Sequence, residues 1–235
     1  MARGPDGVGD PARAGFEQLV GIIGERWRLP GADGGGNRSP TLAELFAASP
    51  RDSGWTGFLL GQVDVQRPLL WVQERMAILE SGRVHPPGFA FSDLIHVETR
   101  DAKSALWAME EGLRCAAIGA VIGEIWGDPA ALDFTATRRR AVAAERYGVA
   151  AYLVRLGGTA NLSGARLRWR VASAPSLMHP LNPRAPGVAA WQAELFRARG
   201  AAPGTWRLTD EADGFHLVAV PSDRALDEAG FKQAS

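Results

Sequence analysis

Two different spacings of apolar residues run along the chain, and each predicts a different element. Short apolar runs bounded by polar residues predict buried strands over residues 68–72, 93–97, 119–123 and 149–154. Between them, apolar residues at helical spacing predict helices over residues 57–65, 101–116 and 135–147. Asp101 is placed to cap the second of these helices and Gly148 to end the third. Alternating helices and buried strands are typical of an α/β core.

After residue 164 the spacing changes to a strict alternation. Leu167, Trp169 and Val171 alternate with arginines, and a further run begins near Trp191. Residues 204–208 and 215–218 complete a predicted hairpin. These segments predict antiparallel strands with one wet face. The predicted fold is therefore α/β, with a mostly parallel central sheet flanked by helices and a β-rich antiparallel C-terminal extension.

The ends of the chain differ from this core. Residues 14–25 predict an amphipathic helix, which either packs on its own domain or docks on a partner, and residues 30–40 are rich in glycine, proline and polar residues. We therefore predict an N-terminal helix and linker over 1–40, one domain over 41–220 and a tail over 221–235. No apolar run reaches the length of a signal peptide or a membrane span, which predicts a cytoplasmic protein that does not meet the membrane.

Charge and cysteine content exclude several classes of site. Lys+Arg and Asp+Glu number 26 each, so contact with nucleic acid requires a local patch rather than a global field. Cys115 is the single cysteine and cannot form an internal disulfide, and its small apolar neighbours predict a buried thiol. The 4 histidines lack metal-ligand spacing. We predict neither a metal site nor a catalytic histidine.

One loop carries a pattern with chemistry. Set against G-x-x-x-x-G-K-[ST], the segment places Ser49 and Gly54 at the two glycines, Trp55 at the lysine and Thr56 at the hydroxyl. Indole cannot neutralise a phosphate as the lysine does, and the chain's two lysines, Lys103 and Lys232, lie elsewhere. The loop, which also contains Ser53, therefore resembles a P-loop without its lysine, and Arg51 is its one cation.

The order of elements around this loop resembles the core of RecA-type ATPases. In such enzymes a glutamate past the next strand activates water, and a later acidic residue supports magnesium. Glu74 and Glu124 stand at the matching places. The resemblance implies an ATPase that uses both carboxylates. The missing lysine favours the alternative, in which each is a solvated carboxylate at a strand end in a protein without ATP chemistry.

Several longer segments are similar to ImuA, a RecA-like family of bacterial mutagenesis proteins. Their order and spacing carry the resemblance, which covers roughly residues 41–220: 70–79, 101–116, 120–126, 132–140, 168–176 and 192–206. It implies an accessory protein of the SOS response to DNA damage that assists translesion synthesis. The implied partners are an ImuB-like inactive Y-family polymerase, an error-prone replicative-type DNA polymerase and RecA.

The resemblance and the altered loop together favour a non-catalytic interaction scaffold without a cofactor. Two alternatives remain open. One is an ATPase that remodels RecA filaments, with ATP and magnesium held by Thr56, Glu124 and Arg51, and with Glu74 as general base. The other is a cell-division inhibitor of the SulA type. RecA-like proteins also stack head to tail, which implies a homo-oligomer.

Arginines suggest a contact surface for DNA or a protein partner. Arg138, Arg139 and Arg140 open a predicted helix, and further arginines flank the glycine-rich residues 157–164: Arg155, Arg166 and Arg168. Guanidinium groups beside flexible backbone suit phosphate binding. The alternatives are a solvated face or pairing with carboxylates.

Tryptophan is frequent, with 8 residues, and most of these side chains are predicted to lie in the core. Trp55 is a separate case because it stands in the altered loop. Its indole either fills the place of a phosphate or presents a surface to a protein partner.

Overall fold

The computed structural model describes residues 27–28, 41–63, 67–85, 93–199, 202–211 and 214–219, and at 27–28, 211 and 214–219 it describes the backbone. The predicted N-terminal helix over 14–25, the linker over 30–40 and the tail over 221–235 lie outside these residues. Within the described helices, none is long and apolar enough to cross a membrane.

The described chain forms four helices and ten strands. The helices are α1 (Gly54–Leu60), α2 (Arg75–Ser81), α3 (Ala102–Leu113) and α4 (Phe134–Tyr147). The strands are β1 (Trp27–Arg28), β2 (Leu42–Ala47), β3 (Leu69–Glu74), β4 (Leu94–Thr99), β5 (Ala120–Trp126), β6 (Ala150–Leu156), β7 (Leu167–Ala174), β8 (Ala190–Ala198), β9 (Gly204–Glu211) and β10 (Gly214–Ala219).

All of these strands join one sheet in the order β1-β10-β9-β8-β7-β2-β6-β5-β3-β4. From β7 to β4 every neighbouring pair is parallel. From β7 to β10 the pairs are antiparallel, and β1 adds in parallel to β10. The predicted fold class is confirmed: a mostly parallel core with an antiparallel C-terminal extension.

Helices cover both faces of the parallel strands and form two apolar layers. Helices α1 and α2 pack on one face through Trp55, Phe58, Leu59 and Ala77. Helices α3 and α4 pack on the other through Leu106, Met109, Leu113, Ala141 and Ala144. Parallel strands buried on both faces read as nearly continuous apolar runs, which is why β3, β5 and β6 could be predicted.

Local signals at helix ends are confirmed. The Asp101 carboxylate accepts a hydrogen bond of 2.8 Å from the Ser104 amide, as expected for a cap of α3. Gly148 ends α4 with φ of 68°, a left-handed conformation that favours glycine. Both signals act within a few residues, so the sequence alone carries them.

Several boundaries differ from the prediction. The helix predicted over 57–65 runs from Gly54 to Leu60, and the strand predicted to close at Glu124 continues to Trp126. Strand β2 and helix α2 were not predicted. Cys115 is exposed, so the prediction of a buried thiol is wrong: it follows the end of α3 in a surface turn.

The prediction for the tryptophans is confirmed for most of them. Five indoles are buried: Trp55, Trp71, Trp169, Trp191 and Trp206. Trp107 differs, with 65% of its surface exposed on α3.

Candidate functional site

A cavity of about 280 Å³ opens where the carboxyl ends of β3 and β5 face the loop between β2 and α1. In open α/β sheets, ligand sites form at this edge. Trp71, Gln73 and Glu124 line the cavity from the strands, the loop supplies Arg51, Asp52 and Ser53, and the first turn of α1 supplies Trp55 and Thr56. The structure thus brings most of the altered loop together with one of the two predicted carboxylates.

Asp52 lies two residues before α1, and its negative charge is placed at the N-terminus of that helix. Its carboxylate accepts a 2.8 Å hydrogen bond from the Gly54 amide, and from Ser173 on β7 it accepts bonds of 2.9 Å from the amide and 2.6 Å from the hydroxyl. Burial favours a higher pKa, but the hydrogen bonds from Ser173 and Gly54 outweigh it and hold the pKa of Asp52 below its ordinary value. An amide at the second glycine of the pattern is therefore already bound to an anion.

Trp55, at the lysine position, turns into the core. Only 6% of its surface is exposed, and its ring packs against Trp71 with centroids 6.1 Å apart. Arg51 is exposed at the cavity wall, and Ser49 is exposed before it. A triphosphate with magnesium needs free backbone amides and the positive charge of a lysine at this loop. The residues present here do not fit that group.

Glu124 lies on β5 at the floor of the cavity and is almost fully buried. Its carboxyl oxygens accept hydrogen bonds from the Trp71 indole and, at 3.0 Å, from the Gln73 amide. Burial raises the pKa of Glu124 to about 7, because desolvation of the charged form outweighs these two bonds. Glu124 is therefore not a solvated strand-end carboxylate, and near neutral pH much of it is protonated.

This raised pKa predicts a pH-dependent stability. Glu124 ionises with a pKa of 4.5 when unfolded and about 7 when folded, so between these values the folded state binds more protons. The contribution of Glu124 to the free energy of unfolding is complete below pH 4.5 and declines as the pH rises toward 7. Over this range we expect the free energy of unfolding to fall by an amount on the order of 3 kcal/mol. Urea unfolding of wild type and Glu124→Gln at several pH values measures it, and parallel pH profiles would contradict it.

Glu74 ends β3 and is also buried, so it too is not a solvated carboxylate. Its carboxylate accepts a 2.9 Å hydrogen bond from the Trp126 amide at the end of β5. Burial raises the pKa of Glu74 above its ordinary value, and the hydrogen bond from Trp126 opposes that rise. Among the described residues that line the cavity, Glu74 does not occur. The hydrogen bond between Glu74 and Trp126 links the ends of β3 and β5.

The predicted arginines separate into buried and exposed groups. Arg155 and Arg168 are buried beside Glu44 of β2, and the Arg168 Nε lies 2.7 Å from its carboxylate. Arg140 is buried as well and donates to two backbone carbonyls. These three side chains pair inside the fold and offer no surface to a phosphate.

Three predicted arginines remain at the surface. Arg139 donates two hydrogen bonds to Glu110, of 2.7 and 2.8 Å. Arg166 pairs with Glu145 at 2.7 Å, whereas the exposed Arg138 has no acidic partner among the described residues. Contact with DNA or a partner stays a prediction, and it now rests on the exposed Arg138 and Arg139 and the half-buried Arg166.

Sequence reasoning missed two residues that shape the site. Asp52 stands two positions before Gly54, and Asp-x-Gly is a signature of a side-chain turn that could have indicated its role. Gln73 lies in the buried strand β3, and its side chain forms hydrogen bonds with Glu124, His96 and the Val84 amide. Its contacts come from separate elements, and no local signal predicts them. Within the described chain, histidine, cysteine and acidic side chains form no group suited to a metal.

Comparison with known proteins identifies the family. No protein-family model matches the chain. The chain is 33% identical over 179 residues to Protein ImuA of Caulobacter vibrioides, in strain NA1000 / CB15N and in strain ATCC 19089 / CIP 103742 / CB 15 alike. Each match covers 69% of this chain and 71% of the relative. The resemblance inferred from separate segments is confirmed, and the chain belongs to the ImuA family.

Proposed function

We propose that this protein is a non-catalytic accessory protein of damage-induced translesion DNA synthesis. It acts in the cytoplasm by binding an ImuB-like inactive Y-family polymerase and, through that complex, an error-prone replicative-type DNA polymerase. Membership of the ImuA family supports this setting. RecA is a further proposed partner.

The contact between Asp52 and the Gly54 amide carries the non-catalytic part of the proposal. Phosphate binding at a helix start uses unpaired amides and a nearby positive charge. Here a carboxylate holds the amide, and a buried indole stands where the lysine would be. A phosphate placed there would meet a like charge, so we propose that neither ATP nor magnesium serves as a cofactor.

The experiment that tests the proposal is co-purification after co-expression. We expect the affinity-tagged chain to retain an untagged ImuB-like protein encoded in the same genome as a complex of fixed stoichiometry in size-exclusion chromatography with light scattering. The same measurement on the chain alone reports whether it forms a homo-oligomer.

A matched variant separates the scaffold from its rivals. Glu74→Gln removes the charge that an ATPase would use as general base, and we expect it to leave the complex intact. If the variant does not form the complex and the wild type hydrolyses ATP, the filament-remodelling ATPase is favoured. Binding to the division protein instead of the ImuB-like protein would favour the SulA-type inhibitor.

A further inference from the structure

A groove lined by arginines runs across the face of α4, away from the altered loop. One part, of about 540 Å³, lies between α4, the start of β7 and the end of β8. Its charged lining consists of four arginines: Arg138, Arg166, Arg197 and Arg199. Among the described residues that line this part, none is acidic. Such a charge distribution attracts an anion.

A second part of the groove, of about 410 Å³, lies next to the first on the side of α4 that faces α3. The two parts share Phe134, Arg138 and Val142, which follow one another at four-residue spacing along α4, so the two parts adjoin along this row of the helix. The second part adds further arginines with one glutamate: Arg114, Arg139, Arg146 and Glu110. A surface that carries arginines in both parts suits an extended polyanion better than a single phosphate.

Not all of these arginines are free. Arg166 pairs with Glu145, and the charge of Arg199 also acts on that carboxyl, whose pKa lies below its ordinary value. Arg139 and Arg114 contact Glu110. Arg138 and Arg197 are exposed and have no acidic partner within the described chain. These two side chains are therefore the best placed to bind a ligand.

Two aromatic rings lie among the arginines that line the groove. Phe134 is 39% exposed and Tyr147 is 36% exposed, and both line the groove. Exposed aromatic rings between arginines are typical of sites for single-stranded nucleic acid, because the bases stack on the rings while the guanidinium groups hold the phosphates. An acidic peptide would use the arginines and would have no comparable use for the rings.

We propose that this groove binds single-stranded DNA, with Arg138 and Arg197 on the phosphates and Phe134 beneath a base. The groove lies on the sheet face covered by α3 and α4, whereas the altered loop precedes α1, which packs on the opposite face. The inference goes beyond the scaffold role. It can be wrong while the scaffold role is right, because co-purification tests the scaffold role and DNA binding tests the groove.

Fluorescence anisotropy with a labelled dT20 oligonucleotide tests the proposal on the full chain. We expect binding that weakens as sodium chloride rises from 50 to 200 mM. Arg138→Gln combined with Arg197→Gln is expected to weaken binding by about tenfold or more and to make the salt dependence shallower by about 1.4 in log–log slope, or 0.7 for each lost phosphate contact. Both side chains are exposed, so the double variant should keep the wild-type thermal unfolding.

Arg75→Gln combined with Arg184→Gln is the matched control. Both arginines are exposed; Arg75 begins α2 on the opposite face, and Arg184 lies in the loop between β7 and β8, beyond the strand ends far from the groove. We expect this control to bind dT20 like the wild type. The proposal is overturned if the wild type does not bind, if the control loses as much affinity, or if a glutamate 20-mer displaces dT20 as well as unlabelled dT20 does. The last result would assign the groove to an acidic polypeptide.

Discussion

Replacing Glu44 with glutamine is expected to lower the free energy of unfolding by about 3 to 5 kcal/mol, because it leaves two buried guanidinium groups without their shared counter-charge. Glu44 is fully buried in the central strand β2, and its carboxylate lies 2.7 Å from Arg168 Nε and 3.7 Å from Arg155 Nη1. Asp128 also contacts Arg155 but stands at the surface, so it cannot replace Glu44 between the strands. Urea unfolding followed by circular dichroism measures the loss.

Glu98→Gln is the matched control. Glu98 pairs with Arg83, and these side chains are 41% and 52% exposed, so solvent screens the pair and its loss should change stability by less than about 1 kcal/mol. Equal losses in the two variants would show that the buried position of Glu44 adds nothing. That result would contradict the role we give to this ion cluster.

The same cluster explains why β2 could not be predicted. A glutamate in the middle of a six-residue segment argues against a buried strand when the segment is read alone. Arg168 neutralises it from a strand 124 positions later in the chain, which pairs with β2 in the sheet. The partner of a buried charge is fixed by the sheet order, and no local pattern contains that order.

In the candidate site, too, features set by neighbouring residues could be predicted and contacts between distant residues could not. The position of the altered loop and the order of elements around it could be predicted, because both depend on neighbouring residues. The bond between Asp52 and Ser173 joins residues 121 positions apart, and the burial of Glu124 depends on Trp71 and Gln73 of a different strand. Contacts of this kind decide whether a carboxylate faces water, and only the folded chain shows them.

Restoring the lysine of the loop pattern is expected to harm the fold without creating a nucleotide site. Trp55→Lys removes a buried ring that packs on Trp71 and places an ammonium group in an apolar layer. Loss of a buried tryptophan costs about 3 to 5 kcal/mol. Urea unfolding measures this loss, and isothermal calorimetry with ATP and magnesium measures binding.

Trp107→Lys makes the same chemical change where the indole is 65% exposed on α3, and we expect it to alter stability by less than about 1 kcal/mol. Neither variant nor the wild type should release heat with ATP, because the Gly54 amide stays bound to Asp52 in all three. The wild type keeps the test decisive if Trp55→Lys does not fold. Binding of ATP by the wild type would mean that the loop accepts phosphate despite its resident carboxylate, and binding together with ATP turnover would replace the scaffold with the ATPase as the proposed function.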